Sequence, residues 1–289
     1  MQKVIRVLFC LSLAGMAHAQ ERFSLFVGSA PEDVQRMLKV VGLRDGDVVF
    51  DLGSGDGRIV FEAARVNPNV RGRGIEIDEK LVRQSAEAAK AQGLADRVRF
   101  LHQDVFDADL SEATVITMWL FPELMRLLRP KILAEAAPGT RVVTRTWDLG
   151  TWKPDEVDTD GVQVNLWIVP AKVEGYWTWS VPFKGAAQAY SAVMEQRFQE
   201  AEGVVRAGGS RGILEDVKLS GRDISFTLTM TLAVKGTVTH RFKGTVQGDT
   251  IEGTISVLYK PNEKPYELPW RAVRTRDSAY FAPPPVAPR

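Results

Sequence analysis

The sequence predicts an α/β domain built on a mostly parallel sheet, followed by a small antiparallel β domain. Three observations carry that reading. Up to about residue 172, short apolar runs alternate with stretches of helical periodicity, the pattern of βαβ units. Beyond it the period falls to two residues. In "DISFTLTMTL", Ile224, Phe226, Leu228, Met230 and Leu232 share one face, and Ser225, Thr227, Thr229 and Thr231 share the other. Between Val48 and Ile59, "VVFDLGSGDGRI" joins a strand to a helix through an acid and three glycines at alternate positions.

The elements follow in order. "SAPEDVQRMLKVVGL" reads as a helix, with Ser29 as cap, Pro31 in the first turn, and Val34, Met37, Leu38 and Val41 on one face. "VVFDL" is a continuous apolar run, as expected of a buried parallel strand. "RIVFEAARV" returns to helix, "RGRGIEID" is the second strand, and "EKLVRQSAEAAKAQGL" is a helix ending near Gly93. "RVRFLHQD" and "ATVITMWLF" are the third and fourth strands. "PELMRLLRPKILAEA" is helical, and "TRVVTRTW" is a fifth strand. In the second region, "GYWTWSV" and "LPWRAVR" read as strands, and Gly248-Asp249 as a hairpin turn. "AQAYSAVMEQRFQEAEG" fits helix and long strand equally; its strand neighbours and Gly203, read as a turn, favour strand. Trp177, Trp179 and Trp270 suit either the core of this region or an exposed ligand face. The expected organisation is residues 1–19 as export signal, 28–172 as the α/β domain, 173–276 as the β domain and 277–289 ("APPPVAPR" at its end) as a proline-rich disordered tail.

The N-terminus supports export. Lys3 and Arg6 precede "VLFCLSLAGMA", an apolar stretch too short to span a bilayer, and "AHA" before Gln20 fits cleavage after Ala19. The reading is an exported, periplasmic chain with no transmembrane segment once processed; an uncleaved membrane anchor is the alternative. Cleavage removes two bases and no acid, leaving 35 Lys+Arg against 36 Asp+Glu. Near-neutral charge argues against a polyanionic partner, and the arginines at 65, 71, 73, 83, 97 and 99 are scattered, as on a solvated surface. No nucleic-acid partner is therefore expected. Cys10 is the single cysteine, which excludes a disulfide framework and a cysteine-based zinc site. His18, His102 and His240 have no ligand spacing, so no metal is expected.

The glycine stretch is the strongest chemical signal. Glycines at a strand-to-helix turn let a ligand lie against bare backbone, and open α/β sheets bind ligands outside the carboxyl ends of their strands. The dinucleotide pattern G-x-G-x-x-G fails here, because Arg58 stands where its third glycine belongs. The pattern is D-x-G-x-G-x-G. An acid, Asp51, beside the turn opposes a pyrophosphate and suits a cationic amine or sulfonium.

This stretch resembles motif I of the class I, seven-strand S-adenosylmethionine-dependent methyltransferases. The resemblance implies a Rossmann-like methyltransferase domain with S-adenosyl-L-methionine as cofactor. Glu76, 25 residues after Asp51 at the end of the second strand, matches the acid that binds both ribose hydroxyls in the family. Asp104 in "FLHQDVF", with the Val105 backbone N–H beside it, matches the adenine-side acid. The cofactor set implied is Asp51, Gly53, Ser54, Gly55, Gly57, Glu76, Ile77, Asp104 and Val105, with Asp51 supporting the turn. "DLGSGDGRIV", "GIEIDEKLV", "WLFPELM", "LRPKIL" and "PGTRVV" narrow the likeness to bacterial relatives of the ATP synthase c-subunit lysine N-methyltransferase family, over roughly residues 28–170. "FVGSAPEDVQRML" is similar to the segment that closes over the cofactor there, with Ala30-Pro31 in place of the usual Thr-Pro. The β domain has no counterpart in the mitochondrial members.

Methyl transfer is an in-line displacement in which the protein mainly positions the two reactants and excludes water. Relatives that methylate planar amino groups carry a polar N-P-P-Y-like turn after the fourth strand. Here the turn is Trp119, Leu120, Phe121, Pro122 and Glu123, which argues against a DNA base and could line a channel for a lysine stem. Trp119 and Phe121 suit the core equally well. Asp148, after the fifth strand, is the other acid near the expected acceptor site, and no single catalytic base stands out. The acceptor is thus expected to be a protein lysine, with a small molecule or lipid as alternative. A non-catalytic envelope binding module retaining the fold is a third reading. Neither the β domain's role nor the oligomeric state is specified.

Overall fold

A computed structural model describes residues 28–183, 186–233, 236–259 and 264–276. The expected export signal and proline-rich tail lie outside the described residues. The chain runs α1 (Pro31–Val41), β1 (Val48–Leu52), α2 (Arg58–Val66), β2 (Arg71–Glu76), α3 (Glu79–Ala91), β3 (Val98–His102), β4 (Val115–Met118), α4 (Pro122–Glu135), β5 (Arg141–Arg145), β6 (Glu156–Asp158) and β7 (Val164–Ile168). These strands form one seven-stranded sheet in the order β3-β2-β1-β4-β5-β7-β6. β1 to β5 pair in parallel, and β7 runs antiparallel to both β5 and β6. The chain reverses its direction of travel across the sheet between β1 and β4, which is the topological switch point.

Hydrophobic period decides which face each helix covers. Val34, Met37, Leu38 and Val41 of α1 pack with Val49, Val115 and Val143 on one face of the sheet. Leu124, Met125, Leu128 and Ile132 of α4 pack with Phe50, Leu52, Ile116 and Met118 on the other. Every residue of β1 and β4 is buried, as strands covered on both faces must be. The fold class read from the sequence is the one observed. Some details differ. α1 is capped by Ala30, not Ser29, with no side-chain cap; Pro31 at its start has no N–H to satisfy, and the Asp33 N–H bonds the Ala30 carbonyl. The fourth strand stops at Met118, so Trp119 to Phe121 form a turn. β6 and β7, which the sequence reading left unassigned, complete the edge.

At the far end of the sheet from the glycine turn, a charged group holds α1 in place. Arg141, at the start of β5, pairs with Asp47 and donates to the carbonyls of Val41 and Gly42 at the C-terminus of α1. Asp47 also accepts from Thr114 Oγ1 at 2.7 Å and from the Arg44 N–H at 2.6 Å. Burial raises the Asp47 carboxyl, but these bonds outweigh it and hold it below the usual carboxylate range.

The second sheet is wholly antiparallel. It comprises β8 (Gly175–Phe183), β9 (Ala186–Arg197), β10 (Glu200–Ala207), β11 (Ser210–Ile213), β12 (Glu215–Ser220), β13 (Asp223–Leu232), β14 (Gly236–Gln247), β15 (Thr250–Leu258) and β16 (Tyr266–Thr275). The order is β11-β10-β9-β8-β16-β15-β14-β13-β12, and the sheet curls until β11 lies against β13 and β10 against β12. All five alternating apolar residues of β13 point into one core. Trp177, Trp179 and Trp270 are in that core too; Trp179 stacks on Tyr190 at 5.5 Å and meets Trp270 edge-on. The ambiguous segment is strand, but its turn falls at Phe198-Gln199. Gly203 lies inside β10, where a Cβ would come within 2.7 Å of the Val193 carbonyl oxygen.

The β9–β10 turn holds the two sheets together. Phe198, at φ 58°, stacks on Trp152 with ring centroids 6.0 Å apart, and the Arg129 guanidinium of α4 lies over the same ring. Gln196 reinforces it by bonding the carbonyl of Ala171 and the N–H of Val173 in the connection between the sheets.

Candidate active site

The carboxyl ends of β1, β2, β4 and β5 converge at the switch point. β1 delivers the glycine turn, and the backbone carries it through positive φ at Gly53 (81°), Gly55 (54°) and Gly57 (79°), a conformation glycine adopts without strain. The missing side chains also serve internal packing. A Cβ on Gly53 would sit 2.5 Å from Leu120 Cδ2, and one on Gly57 would sit 2.4 Å from the Phe100 ring. At these two positions the bare backbone is met by the protein's own residues, whereas the sequence pattern alone suggested a ligand. The Leu120 contact ties the turn after β1 to the turn after β4.

Glu76 ends β2 and is 9 % exposed. One carboxylate oxygen accepts the Gly55 N–H at 2.8 Å and the other accepts the Asp78 N–H at 2.9 Å. Each oxygen keeps a further lone pair, so the group can still accept two hydroxyl donors. The Gly53 and Ser54 N–H groups bond the Ile75 carbonyl. Support of the turn therefore comes from Ile75 and Glu76. Asp51 faces elsewhere: it accepts from Thr117 Oγ1 of β4 at 2.6 Å. Burial pushes its carboxyl up to about 7, with the Thr117 hydroxyl opposing and the charges of Glu76 and Asp56 adding. A buried carboxylate poised this way gains most from a cation placed nearby. Ser54 Oγ is buried without a hydrogen-bond partner among the described residues, a polar atom left for a ligand. These groups fit a ligand carrying a ribose and a positive charge.

The residues expected on the adenine side follow β3, at the neighbouring strand end. Asp104 closes its own turn by accepting the Phe106 N–H at 2.9 Å, and Val105 packs against the core beneath. His102 bonds the Ile77 carbonyl, linking the ends of β3 and β2.

The acceptor-side candidates separate. Leu120 is core. Trp119 is half-buried, Phe121 is 48 % exposed, and Pro122 opens α4. Asp148 is exposed, accepts the Gly150 N–H and pairs with Arg126, so its contacts lead to α4. Three residues that the sequence reading passed over are central here. Thr117 holds Asp51. Arg145, ending β5, lies 4.2 Å over the Trp119 ring and pairs with Asp33 of α1 at 2.7 Å. Arg58 grips Asp56 and donates to the Ser29 carbonyl, fastening the segment before α1 to the glycine turn. An arginine at the end of the buried run "VVTR" was the one available signal for Arg145.

Comparison with known proteins adds the following. Residues 51–156 match the model of the ANTKMT methyltransferase domain. The chain is 36% identical over 132 residues to a protein-lysine N-methyltransferase of Saccharolobus islandicus, covering 46% of this chain and 82% of that one. It is 30% identical over 173 residues to the adenine nucleotide translocase lysine N-methyltransferase of Mus musculus, covering 58% and 73%. Among solved structures, it is similar to an RNA methyltransferase from Salinibacter ruber in complex with S-adenosyl-L-homocysteine, with 44% identity, a TM-score of 0.49, and coverage of 51% of this chain and 96% of that one.

Proposed function

Because this chain belongs to the family of S-adenosylmethionine-dependent methyltransferases that carry the ANTKMT methyltransferase domain, we propose that its acceptor is the side-chain amine of a protein lysine. The observation that carries the proposal is the turn after β4. It offers the Trp119 ring and apolar neighbours where a planar-amine site would need a hydrogen-bonding asparagine or aspartate. An apolar, aromatic turn suits a lysine's four-carbon stem.

The cofactor supplies a methyl group already activated by its sulfonium. In this reading Glu76 accepts the ribose hydroxyls, and Asp51 places negative charge beneath the cationic end. Gly53, Ser54, Gly55 and Gly57 form the turn that lies against it. Ile77, Asp104 and Val105 border the adenine, with Asp104's remaining acceptor capacity turned to it. The protein contributes alignment and exclusion of water. No single base is assigned: the amine's proton leaves to solvent before attack.

Residues 1–19 are proposed as an export signal cleaved after Ala19, which places the mature enzyme in the periplasm. Mass spectrometry of the chain from its own host then finds an N-terminus near Gln20; a full-length chain in the cytosol overturns this. The acceptor is tested by incubating the chain with labelled S-adenosylmethionine and envelope proteins, then mapping the label by mass spectrometry. Label on lysine supports the reading, and label only on small molecules or lipid overturns it.

A further inference from the structure

β5 carries an arginine at each end, Arg141 buried and Arg145 half-buried, and they are held very differently. Arg141 is matched to Asp47 and to two backbone carbonyls. Arg145 has its ion pair with Asp33 and its contact with the Trp119 ring, but its Nε is buried without a hydrogen-bond partner among the described residues. Buried donors are ordinarily satisfied, so the orphan Nε marks Arg145 as less closely matched to its surroundings than Arg141. What Arg145 does fill is a complete cation site: an aromatic face on one side and a carboxylate on the other. The two halves come from elements that border the reaction. Trp119 follows β4 at the switch point, and Asp33 lies in the first turn of α1, just after the Ser29 carbonyl that Arg58 fastens to the glycine turn.

We propose that the Trp119 ring and the Asp33 carboxylate form the binding site for the acceptor's ammonium, and that Arg145 is a resident cation which the acceptor displaces. This rests on the amine-acceptor reading above and names the residues that select for it. Exchange of one cation for another leaves Asp33 paired while the acceptor binds; the pair lapses only when the ammonium sheds a proton to solvent, and the methylated ammonium product restores it. A neutral alcohol or thiol displacing Arg145 would leave that carboxylate unpaired in a site where the side chain is only 13% exposed, so neutral acceptors are rejected. Arg145 can leave without moving the core. It is the last residue of its strand, followed by Thr146 at φ 69° and the exposed Trp147. Arg145 leaves as the acceptor binds, before the ammonium loses its proton to solvent and its nitrogen attacks, so Arg145 acts on KM and specificity.

The test uses the full chain loaded with S-adenosyl-L-homocysteine and follows binding by NMR titration with n-butylammonium, with n-butanol as the neutral control. Arg145→Leu is expected to bind n-butylammonium at least about tenfold more tightly than wild type, with n-butanol unchanged. Adding Trp119→Leu or Asp33→Asn to Arg145→Leu abolishes the gain. Arg145→Lys, a conservative variant that keeps the charge without the planar fork, falls between, and it carries the comparison if the leucine variant does not fold. Equal binding by wild type and both Arg145 variants overturns the proposal, as does an equal gain for n-butanol. With a lysine peptide as substrate, Arg145→Leu lowers KM; a raised KM with cofactor binding intact would mean that Arg145 builds the site. If no lysine peptide is methylated, the lysine reading fails, while the n-butylammonium titration still decides the role of Arg145.

Discussion

Asp51→Asn separates what the fold wants at this position from what the cofactor wants. In the folded chain the Asp51 carboxyl is pushed up to about 7 by burial, against an ordinary value of 3.8. Raised this way, the group supports the fold fully below about pH 4. That contribution is lost as pH rises through about 7 and is flat above it. About three pH units separate the two values, which corresponds to about 4 kcal/mol of ionisation cost at pH 8. Asparagine keeps an oxygen to accept the Thr117 hydroxyl and carries no charge. Relative to wild type, Asp51→Asn should therefore be more stable by up to about 4 kcal/mol at pH 8 and by only about 1 kcal/mol at pH 4.5. The assay is hydrogen exchange of the β1 and β4 amides at both values, with urea melts alongside. Local exchange reports on this sheet even where the melt is not two-state. The same variant should bind S-adenosylmethionine more weakly, and wild-type affinity should rise with pH through about 7 as the carboxylate forms. An identical wild-type-to-variant difference at pH 4.5 and pH 8 would refute the argument.

Glu76→Gln keeps an oxygen for the Gly55 N–H but sets its amide NH2 against the Asp78 N–H and gives up the charge, so it should melt somewhat below wild type and bind the cofactor at least about tenfold more weakly by calorimetry. Glu76→Ala should also lower the melting temperature, because the glycine turn loses a hydrogen bond. Asp47→Ala strands the Arg141 guanidinium, whose side chain is 7% exposed, and should cost about 3–5 kcal/mol in a denaturant melt. Phe198→Gly relieves the positive φ but removes the wedge between Trp152 and Arg129. Limited proteolysis should then cut the 169–174 connection and release a fragment of about residues 28–172, whereas wild type resists at the same protease level.

Period and spacing made most of the first sheet legible. β1, with five buried apolar or acidic residues before the glycines, could be placed from sequence because a strand covered on both faces has no other reading. Glu76 could be placed because it ends the next such run. β6 escaped because three residues, two of them acids, carry no period, and β7 because "VNLWI" follows a loop instead of a helix. Gly203 was misread because a glycine needed for cross-strand clearance looks the same as one needed for a turn. Asp33, Trp119 and Arg145 each have an ordinary local explanation as a helix-start acid, a core aromatic and a strand-end base. They become a cluster only when the sheet order brings β4 and β5 side by side under α1. The role of Leu120 in filling the space above Gly53 likewise exists only in three dimensions.

The grip of Arg141 on the end of α1 also sets an order of assembly. Its bond to Val41 closes a loop of 100 residues, so α1 leaves the translating machinery long before the side chain that anchors its carbonyls. Closure over that separation carries an entropic penalty that grows only slowly with length, but no early fragment can meet it at all. A chain halted before β5 has the glycine turn and Glu76, yet α1 and the segment before it lack their lower fastening. The first helix in the sequence therefore gains its C-terminal fastening only after β5 has joined the sheet.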